Sequence, residues 1–193
     1  EERELPMADS EAFCAVPQIL TKVPADFLWA SQVCKDRGYD EVNLNVGCPS
    51  GTVVSKGKGS GMLRDLKALD AFLEEIFAAA PLPISVKTRI GFASAEEWPA
   101  LLDIFNKYPI KELTVHPRVR ESFYKGPVDM DTFRYCVQHS NNPLCYNGDI
   151  CCTADIEKIQ KEFGVDAVMI GRGLIADPGM LLPGGTDKQT LLD

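Results

Sequence analysis

The sequence lacks the features that would place it in a membrane or among disulfide-rich secreted proteins. No apolar run in the 193 residues approaches the roughly 18 residues that a spanning helix needs. The acidic opening EERELPMADS does not have the basic and then apolar layout of a secretory signal. Seven cysteines is an odd number and no CxxC pair occurs, so neither a disulfide framework nor a zinc site is indicated. We therefore expect a cytoplasmic protein with no membrane span and no metal.

Basic charge is also scarce, but it is unevenly distributed. The net charge is -8, which taken alone disfavours a polyanionic partner. Residues 51–134, however, hold 12 basic and 11 acidic side chains, net +1, whereas residues 1–50 hold 4 and 9, net -5. Because a local face matters more than the total, a nucleic-acid partner stays open. The length and the 45% apolar content predict a single domain over residues 1–193.

Short apolar runs alternate with amphipathic segments along the whole chain. The predicted strands are residues 15–20, 41–47, 84–90, 112–118, 143–149 and 166–172. The predicted helices are residues 24–37, 64–80, 95–107, about 129–139 and 153–163. Serial βα units predict a parallel sheet, either open and doubly wound or closed as a (β/α)₈ TIM barrel.

Polar residues stand at the ends of five consecutive predicted strands. In both candidate folds the chemistry gathers at the carboxyl ends of parallel strands, and packing alone would favour apolar residues there. The residues concerned are Asn45 and Cys48, Lys87 and Arg89, His116 and Arg118, Asn147 to Asp149, and Gly171 to Gly173. They predict one shared site.

Cys48 lies where the chain leaves the second predicted strand, between a glycine and a proline. From the residues alone it is a nucleophile, a general acid, a ligand or buried filler. The loop behind it is not a Walker phosphate loop, because Gly51 and Gly57 are separated by five residues and Lys58 is followed by glycine. A mobile lid carrying Lys56 and Lys58 is the better interpretation.

Three further motifs predict functional groups. Lys87 and Arg89 share one face of a strand, which indicates an anionic or electron-rich partner. His116 is one of two histidines and stands at a strand end, TVHPRVR. The turns Asn147-Gly148-Asp149 and Gly171-Arg172-Gly173 end the last two strands, where barrels often bind phosphate.

Together these segments resemble the flavin-dependent tRNA-dihydrouridine synthases. The matching pieces, in the order and spacing of that family, are VPQIL with Gln18, LNVGCPS with Asn45 and Cys48, SVKTRIG with Lys87, TVHPRVRESFYKG with His116, NGDI at 147–150 and MIGRGLIADP at 169–178. The resemblance covers about residues 15–178. An ordered set of this kind is far more specific than any one of its members.

The resemblance implies a TIM barrel that holds FMN at its carboxyl mouth. Gln18, Lys87 and His116 would contact the flavin ring, while Asn147, Gly148, Asp149, Gly171 and Arg172 would hold the ribityl phosphate. Asn45 would hold the target uracil of a tRNA, assisted by Arg118. NADPH or NADH would supply the electrons.

It also implies a task for the cysteine. Reduction of uridine to 5,6-dihydrouridine brings hydride from reduced flavin to C6, so a proton must reach C5 from the opposite face. Cys48 would be that proton donor. Lysines of the 56–58 segment would meet tRNA phosphates.

Two earlier strands and a C-terminal helical tRNA-binding domain of the family have no counterpart in this sequence. The six predicted strands therefore correspond to the third to eighth βα units, with exposed barrel edges open to self-association. Three alternatives stay open: an inactive fragment acting as an interaction piece, an FMN barrel acting on a free pyrimidine, and a Cys48–His116 thiol hydrolase. Bound FMN would exclude the first and the last.

Overall fold

The computed structural model describes residues 14–182. Within them the strands are β1 (Gln18–Ile19), β2 (Val42–Val46), β3 (Ile84–Arg89), β4 (Leu113–His116), β5 (Leu144–Asn147) and β6 (Ala167–Met169). The helices are α1 (Pro24–Asp36), α2 (Gly51–Val54), α3 (Leu66–Ala79), α4 (Trp98–Phe105), α5 (Met130–His139), α6 (Thr153–Phe163) and α7 (Arg172–Ala176). Three 3₁₀ turns, at Gly59–Arg64, Ala95–Glu97 and Arg120–Ser122, complete the described elements.

The six strands form one parallel sheet in which neighbours in space are also neighbours in sequence. The order is β1-β2-β3-β4-β5-β6, and each consecutive pair is parallel. A doubly wound sheet reverses its strand order at a switch point, whereas the wall of a (β/α) barrel does not. The order therefore selects the barrel from the two architectures that the sequence left open, and it brings six strand ends to one edge.

The two faces of the sheet differ sharply in chemistry. The face toward the helices is apolar and fully buried, as Val42, Leu44 and Val86 show. The inner face is polar: Asn43 donates to Ser85 Oγ at 2.9 Å, and Asn45, Lys87 and His116 follow nearer the strand ends. Burying polar side chains on the inner face of a parallel sheet costs free energy unless they form hydrogen bonds. This face therefore requires a hydrogen-bond network among its side chains.

The helix boundaries follow from local signals in the sequence. Asp65 caps α3, accepting from Lys67 N and Ala68 N. Ser94 and Glu97 form a capping box at the 3₁₀ turn before α4. Gly164, with φ +67°, ends α6 in the left-handed region.

Three predicted elements differ most from the structure. The sixth strand, predicted over residues 166–172, covers only Ala167–Met169, because the chain turns into α7 at Arg172. The first strand, predicted over residues 15–20, is only two residues long. The helix predicted over 95–107 begins as a 3₁₀ turn before α4, since Pro99 is accepted only in the first turn of a helix. No helix within residues 14–182 has the length and apolarity to cross a membrane.

Candidate functional site

A cavity of about 760 Å³ opens at the carboxyl ends of the strands. Its wall contains ten of the eleven predicted site residues: Gln18, Asn45, Cys48, Lys87, His116, Asn147, Gly148, Asp149, Gly171 and Arg172. The eleventh, Arg118, is buried and bonded to two of them. The structure thus brings the predicted set together, while the role of each residue remains a prediction. Among residues 14–182 no group of side chains suits a metal ion.

Cys48 is half-buried in the cavity wall and its backbone is held from both sides. Its N–H donates to Asn45 Oδ1 at 2.9 Å, and its carbonyl accepts from Ser60 Oγ at 2.8 Å. Gly59 packs directly against it: a Cβ at Gly59 would lie 2.9 Å from Cys48 Cβ, and φ there is +56°. The backbone of Cys48 is therefore positioned by Gly59 and by two side chains, those of Asn45 and Ser60. The sequence did not predict the contribution of Ser60.

Asn45 connects the Cys48 loop to the first strand. Its Oδ1 accepts from Gly47 N and Cys48 N, and its Nδ2 donates to Gln18 Oε1 at 2.7 Å. Gln18 in turn donates to Asn43 Oδ1 at 2.8 Å. The predicted contact of Asn45 with uracil remains a prediction; the observed contacts give this amide a second task, which is to position the cysteine loop.

Arg89 is a buried side chain of the site, noted in the sequence but given no role there. It is 2% exposed, and its Nε donates to Gly47 O at 3.0 Å while Nη1 donates to Val119 O at 3.1 Å. These carbonyls belong to the loops after β2 and β4. One guanidinium therefore ties the Cys48 loop to the loop that follows His116.

Lys87 points into the cavity without a counter-ion. Burial, followed by the charge of Arg89, lowers the pKa of Lys87 to about 8. Within the described part of the chain its ammonium makes neither an ion pair nor a hydrogen bond. A half-buried cation of this kind suits a ligand that brings negative charge.

His116 is held neutral with a defined tautomer. Burial, then the charges of Arg89, Lys87 and Arg118, lowers its pKa to about 3. A guanidinium can only donate, so the 3.1 Å contact with Arg118 Nη1 makes His116 Nε2 the acceptor and leaves the proton on Nδ1. Because Arg118 and not Cys48 engages the imidazole, the arrangement does not resemble a thiol hydrolase pair.

Asp149 is the acidic centre of the site. It forms a bidentate pair with Arg118 and accepts from Arg172 Nη2 at 2.8 Å. The hydrogen bond from Arg118 holds the pKa of this carboxyl below its ordinary value. In the described structure Arg172 thus contacts a carboxylate at the position where the sequence predicted a phosphate contact.

The far end of the cavity suits a phosphorylated ligand. A Cβ at Gly171 would meet no atom within 4 Å, so this backbone faces open space. Gly148 has no room for a side chain, since a Cβ would lie 2.9 Å from Val128 Cγ1. Open backbone at one end, the unpaired Lys87 at the other and a volume within the usual range for ligand cavities fit an FMN molecule.

The segment carrying Lys56 and Lys58, predicted to be a mobile lid, lies between two short helical elements. Residues 51–54 form α2, and Gly59–Arg64 forms a 3₁₀ turn packed on Cys48. Glycines in this segment serve close packing and positive φ, which the sequence alone does not distinguish from flexibility. Neither lysine forms an ion pair within residues 14–182.

Replacing Arg89 is expected to destabilise the chain strongly. Arg89→Gln leaves Gly47 O and Val119 O buried without donors, and each lost partner costs about 1–3 kcal/mol. We expect the free energy of unfolding, measured with urea, to fall by roughly 2–4 kcal/mol. Arg134→Gln is the control, because Arg134 forms an exposed pair with Glu162, and it should cost about 1 kcal/mol or less. Equal losses in the two variants would contradict the anchoring role.

The neutral state of His116 predicts a specific dependence of stability on pH. The unfolded histidine takes up a proton near pH 6.5, whereas the folded one resists protonation to about pH 3, so stability falls as pH decreases between these values. Relative to His116→Gln, the wild-type unfolding free energy should fall by up to about 1.4 kcal/mol per pH unit. Urea titrations from pH 7 to about 4 measure the difference in slope. His139→Gln, on an exposed helix end, should follow the wild type; parallel curves for wild type and His116→Gln would disprove the assignment.

Curated bacterial proteins resemble this chain over most of its length. The chain is 32% identical over 150 residues to the probable tRNA-dihydrouridine synthase of Rhizobium leguminosarum bv. phaseoli, covering 77% of this chain and 47% of that protein. It is 30% identical over 162 residues to tRNA-dihydrouridine synthase B of Proteus vulgaris, covering 83% and 50% respectively. The chain spans about half the length of the curated relatives it matches.

Solved structures resemble it in fold at much lower identity. The 6-hydroxypseudooxynicotine amine oxidase of Pseudomonas geniculata N1 gives a TM-score of 0.58 at 12% identity, over 80% of this chain and 27% of that one. Histamine dehydrogenase from Rhizobium sp. 4-9 gives a TM-score of 0.57 at 12% identity, over 80% of this chain and 26% of that one.

The family model described as dihydrouridine synthase (Dus) matches residues 1–189. The predicted TIM-barrel class and the family resemblance are both confirmed, and the chain belongs to the dihydrouridine synthase family.

Proposed function

We propose that this chain carries the catalytic site of an FMN-dependent oxidoreductase that reduces uridine in tRNA to 5,6-dihydrouridine. The observation that carries the proposal is the cavity in which the Cys48 thiol, the unpaired Lys87 ammonium and the neutral His116 line one volume. Family membership and the names of the bacterial relatives support the same reaction. A thiol, a lone cation and an open glycine turn have no common task in a purely structural protein.

FMN would be held at both ends of the cavity. Gln18, Lys87 and His116 would contact its ring, with Lys87 giving positive charge to the edge that becomes negative on reduction. The backbone of residues 147–149 and 171–172, with the Arg172 guanidinium, would hold the phosphate. When bound and reduced, with NADPH or NADH as the source of electrons, FMN supplies the hydride for C6 of uridine.

Cys48 supplies the second hydrogen. As hydride adds to C6 and the C5–C6 double bond is lost, the thiol of Cys48 gives its proton to C5 and becomes a thiolate, which takes up a proton from water afterwards. Asn45, Ser60 and Arg89 hold the loop so that the sulfur needs no rearrangement at that moment. Holding the donor in position is the chain's contribution to the protonation step.

The substrate side of the cavity would take a single uracil. Asn45 would contact the base, and Arg118 would assist by holding His116 and Asp149 in the cavity wall. The base has to leave the RNA stack to enter a concave site, at a cost of a few kcal/mol. Phosphate contacts outside the cavity would offset that cost. A tRNA substrate agrees with the predicted cytoplasmic location.

FMN affinity should depend on pH through Lys87. The ammonium would donate a hydrogen bond to the acceptor edge of the oxidised flavin ring, and Lys87 loses its proton as pH rises through about 8. Quenching of FMN fluorescence should therefore show full affinity below pH 8 and roughly tenfold weaker binding well above it. Lys87→Gln should bind weakly at every pH, whereas Lys87→Arg, which stays charged, should remove the pH dependence without removing binding. A wild-type affinity that is flat from pH 7 to about 9 would contradict this role for Lys87.

Removing the thiol should abolish uridine reduction while FMN still binds. With tRNA transcript, FMN and NADPH, Cys48→Ala should lower the rate of dihydrouridine formation by about 10²- to 10⁴-fold, the usual contribution of a general acid. Mass spectrometry of digested tRNA measures the gain of two hydrogens. Cys14→Ser is the matched control, because Cys14 is exposed and lies outside the cavity wall. Full activity in Cys48→Ala would reject the thiol as proton donor.

A further inference from the structure

Arginine and aromatic side chains alternate in a row that ends beside Tyr124, a residue of the cavity wall. Arg64 lies over the Phe92 ring at 4.0 Å, and Arg120 lies 5.3 Å from the same ring and 5.0 Å from the Phe123 ring. Tyr124 follows next in sequence. We call the five residues Arg64, Phe92, Arg120, Phe123 and Tyr124 the rim ladder; they come from the loops after β2, β3 and β4.

The inner end of the ladder reaches the proposed catalytic cavity. Tyr124 lines the cavity and is 53% exposed. Its ring lies 5.3 Å from the Arg89 guanidinium, 4.9 Å from that of Arg172 and 6.1 Å from the His116 ring. The ladder therefore leads from the site of chemistry outward over one side of the mouth.

The cations of the ladder are not neutralised by the chain. Within residues 14–182 neither Arg64 nor Arg120 forms an ion pair, and Arg120 Nε is buried with no hydrogen-bond partner. Glu97, the nearby carboxylate, is already occupied by the N–H groups of Phe92, Ala93 and Ser94. Within the described residues no carboxylate therefore neutralises either guanidinium group, although Arg120 Nε itself is buried.

Backbone strain holds one ring of the ladder in the open. Phe123 has φ +50°, which is unusual for a bulky residue, and it is 40% exposed. Strain of this kind persists only when the surroundings impose it, and it gathers at functional sites. Backbone bonds from Arg120 N to Gly91 O and from Glu121 N to Phe92 O impose it here, because they dock this loop on its neighbour.

At the outer end there is room for a flat group. A second cavity, of about 350 Å³, opens with Arg64 and Phe92 in its wall. Aromatic faces stack unpaired bases, and guanidinium groups both stack on bases and bind phosphates. In duplex RNA the base faces are stacked on one another and cannot stack on these rings. The carboxylates of an acidic peptide would bind the arginines but would not stack on the exposed aromatic rings.

We infer that the rim ladder binds the single-stranded RNA next to the reacting uridine, with bases on Phe123 and at Phe92 and phosphates at Arg120 and Arg64. The inference rests on the proposed function, because it names the surface that delivers the substrate to that cavity. It adds a second set of contacts to the uracil contacts inside the cavity. Bases flanking the target would be held on the rings while the target itself enters.

The test is binding of fluorescein-labelled octauridylate to the full 193-residue chain, followed by fluorescence anisotropy. Phe123→Gly removes the ring and suits the positive φ, so it should weaken binding on the order of tenfold without lowering the melting temperature. Arg120→Gln should weaken binding at low salt and reduce the slope of log affinity against log salt by about 0.7. Lys161→Gln, an exposed cation in the last turn of α6, removes the same charge and should change neither quantity.

The outcomes separate this inference from the proposed function. FMN quenching, measured on the same proteins, should be unchanged in Phe123→Gly and Arg120→Gln. If FMN does not bind to the wild type, that result counts against the proposed function. The anisotropy result alone then tests RNA binding by the rim ladder. Failure of the wild type to bind octauridylate, or wild-type affinity in Phe123→Gly, would overturn the ladder. So would equal binding of a labelled RNA duplex or equal competition by polyglutamate, since either would indicate a surface that reads charge alone.

Discussion

Two cations on one buried strand face form the constraint around which this site is organised. Lys87 and Arg89 are two residues apart on β3 and both point to the inner face of the sheet. Burying a charge without a partner costs several kcal/mol, so each cation needs a hydrogen-bond acceptor or a negative charge beside it. Arg89 uses two backbone carbonyls, one from each flanking loop, and is thereby satisfied within the chain. Lys87 has no such partner and faces the cavity, so the protein is left with one cation that only a ligand can satisfy.

The neighbouring charges follow from the same constraint. His116 lies among Lys87, Arg89 and Arg118, and a fourth positive charge there would be costly, so the imidazole stays neutral and accepts from Arg118. Asp149 supplies the single negative charge of the group and bridges Arg118 and Arg172. This carboxylate gives Arg172 a fixed direction at the glycine turn. An anion bound at that turn would therefore meet a guanidinium already partly balanced, which favours a ligand held mainly by backbone N–H groups.

The sequence predicted the site better than it predicted the elements that hold it. Because parallel strands end at one edge, polar residues after each strand sufficed to place Cys48, Lys87 and His116 together without any distance information. The roles of Ser60 and Arg89 depend on contacts between residues 12 and 42 positions apart in the chain, which no local pattern encodes. The sequence did not reveal α2 and the following 3₁₀ turn, because glycine spacing is the same for a mobile loop and for a turn packed on a cysteine. No single motif contains the rim ladder: Arg120, Phe123 and Tyr124 lie within TVHPRVRESFYKG, but Arg64 and Phe92 come from two other loops.

Arg89 links the two surfaces that the chemistry needs. Its guanidinium holds Gly47, the residue before Cys48, and Val119, the residue before Arg120, and it lies 5.3 Å from the Tyr124 ring. The loop that presents the ladder and the loop that presents the thiol therefore share one buried anchor. RNA bound to Phe123 and Tyr124 would therefore contact the loop that Arg89 anchors, and Arg89 also positions the backbone before Cys48. Two loops anchored on one rigid planar group keep a fixed mutual distance, and that distance would decide whether a base held at the rim ladder reaches Cys48, the proposed proton donor.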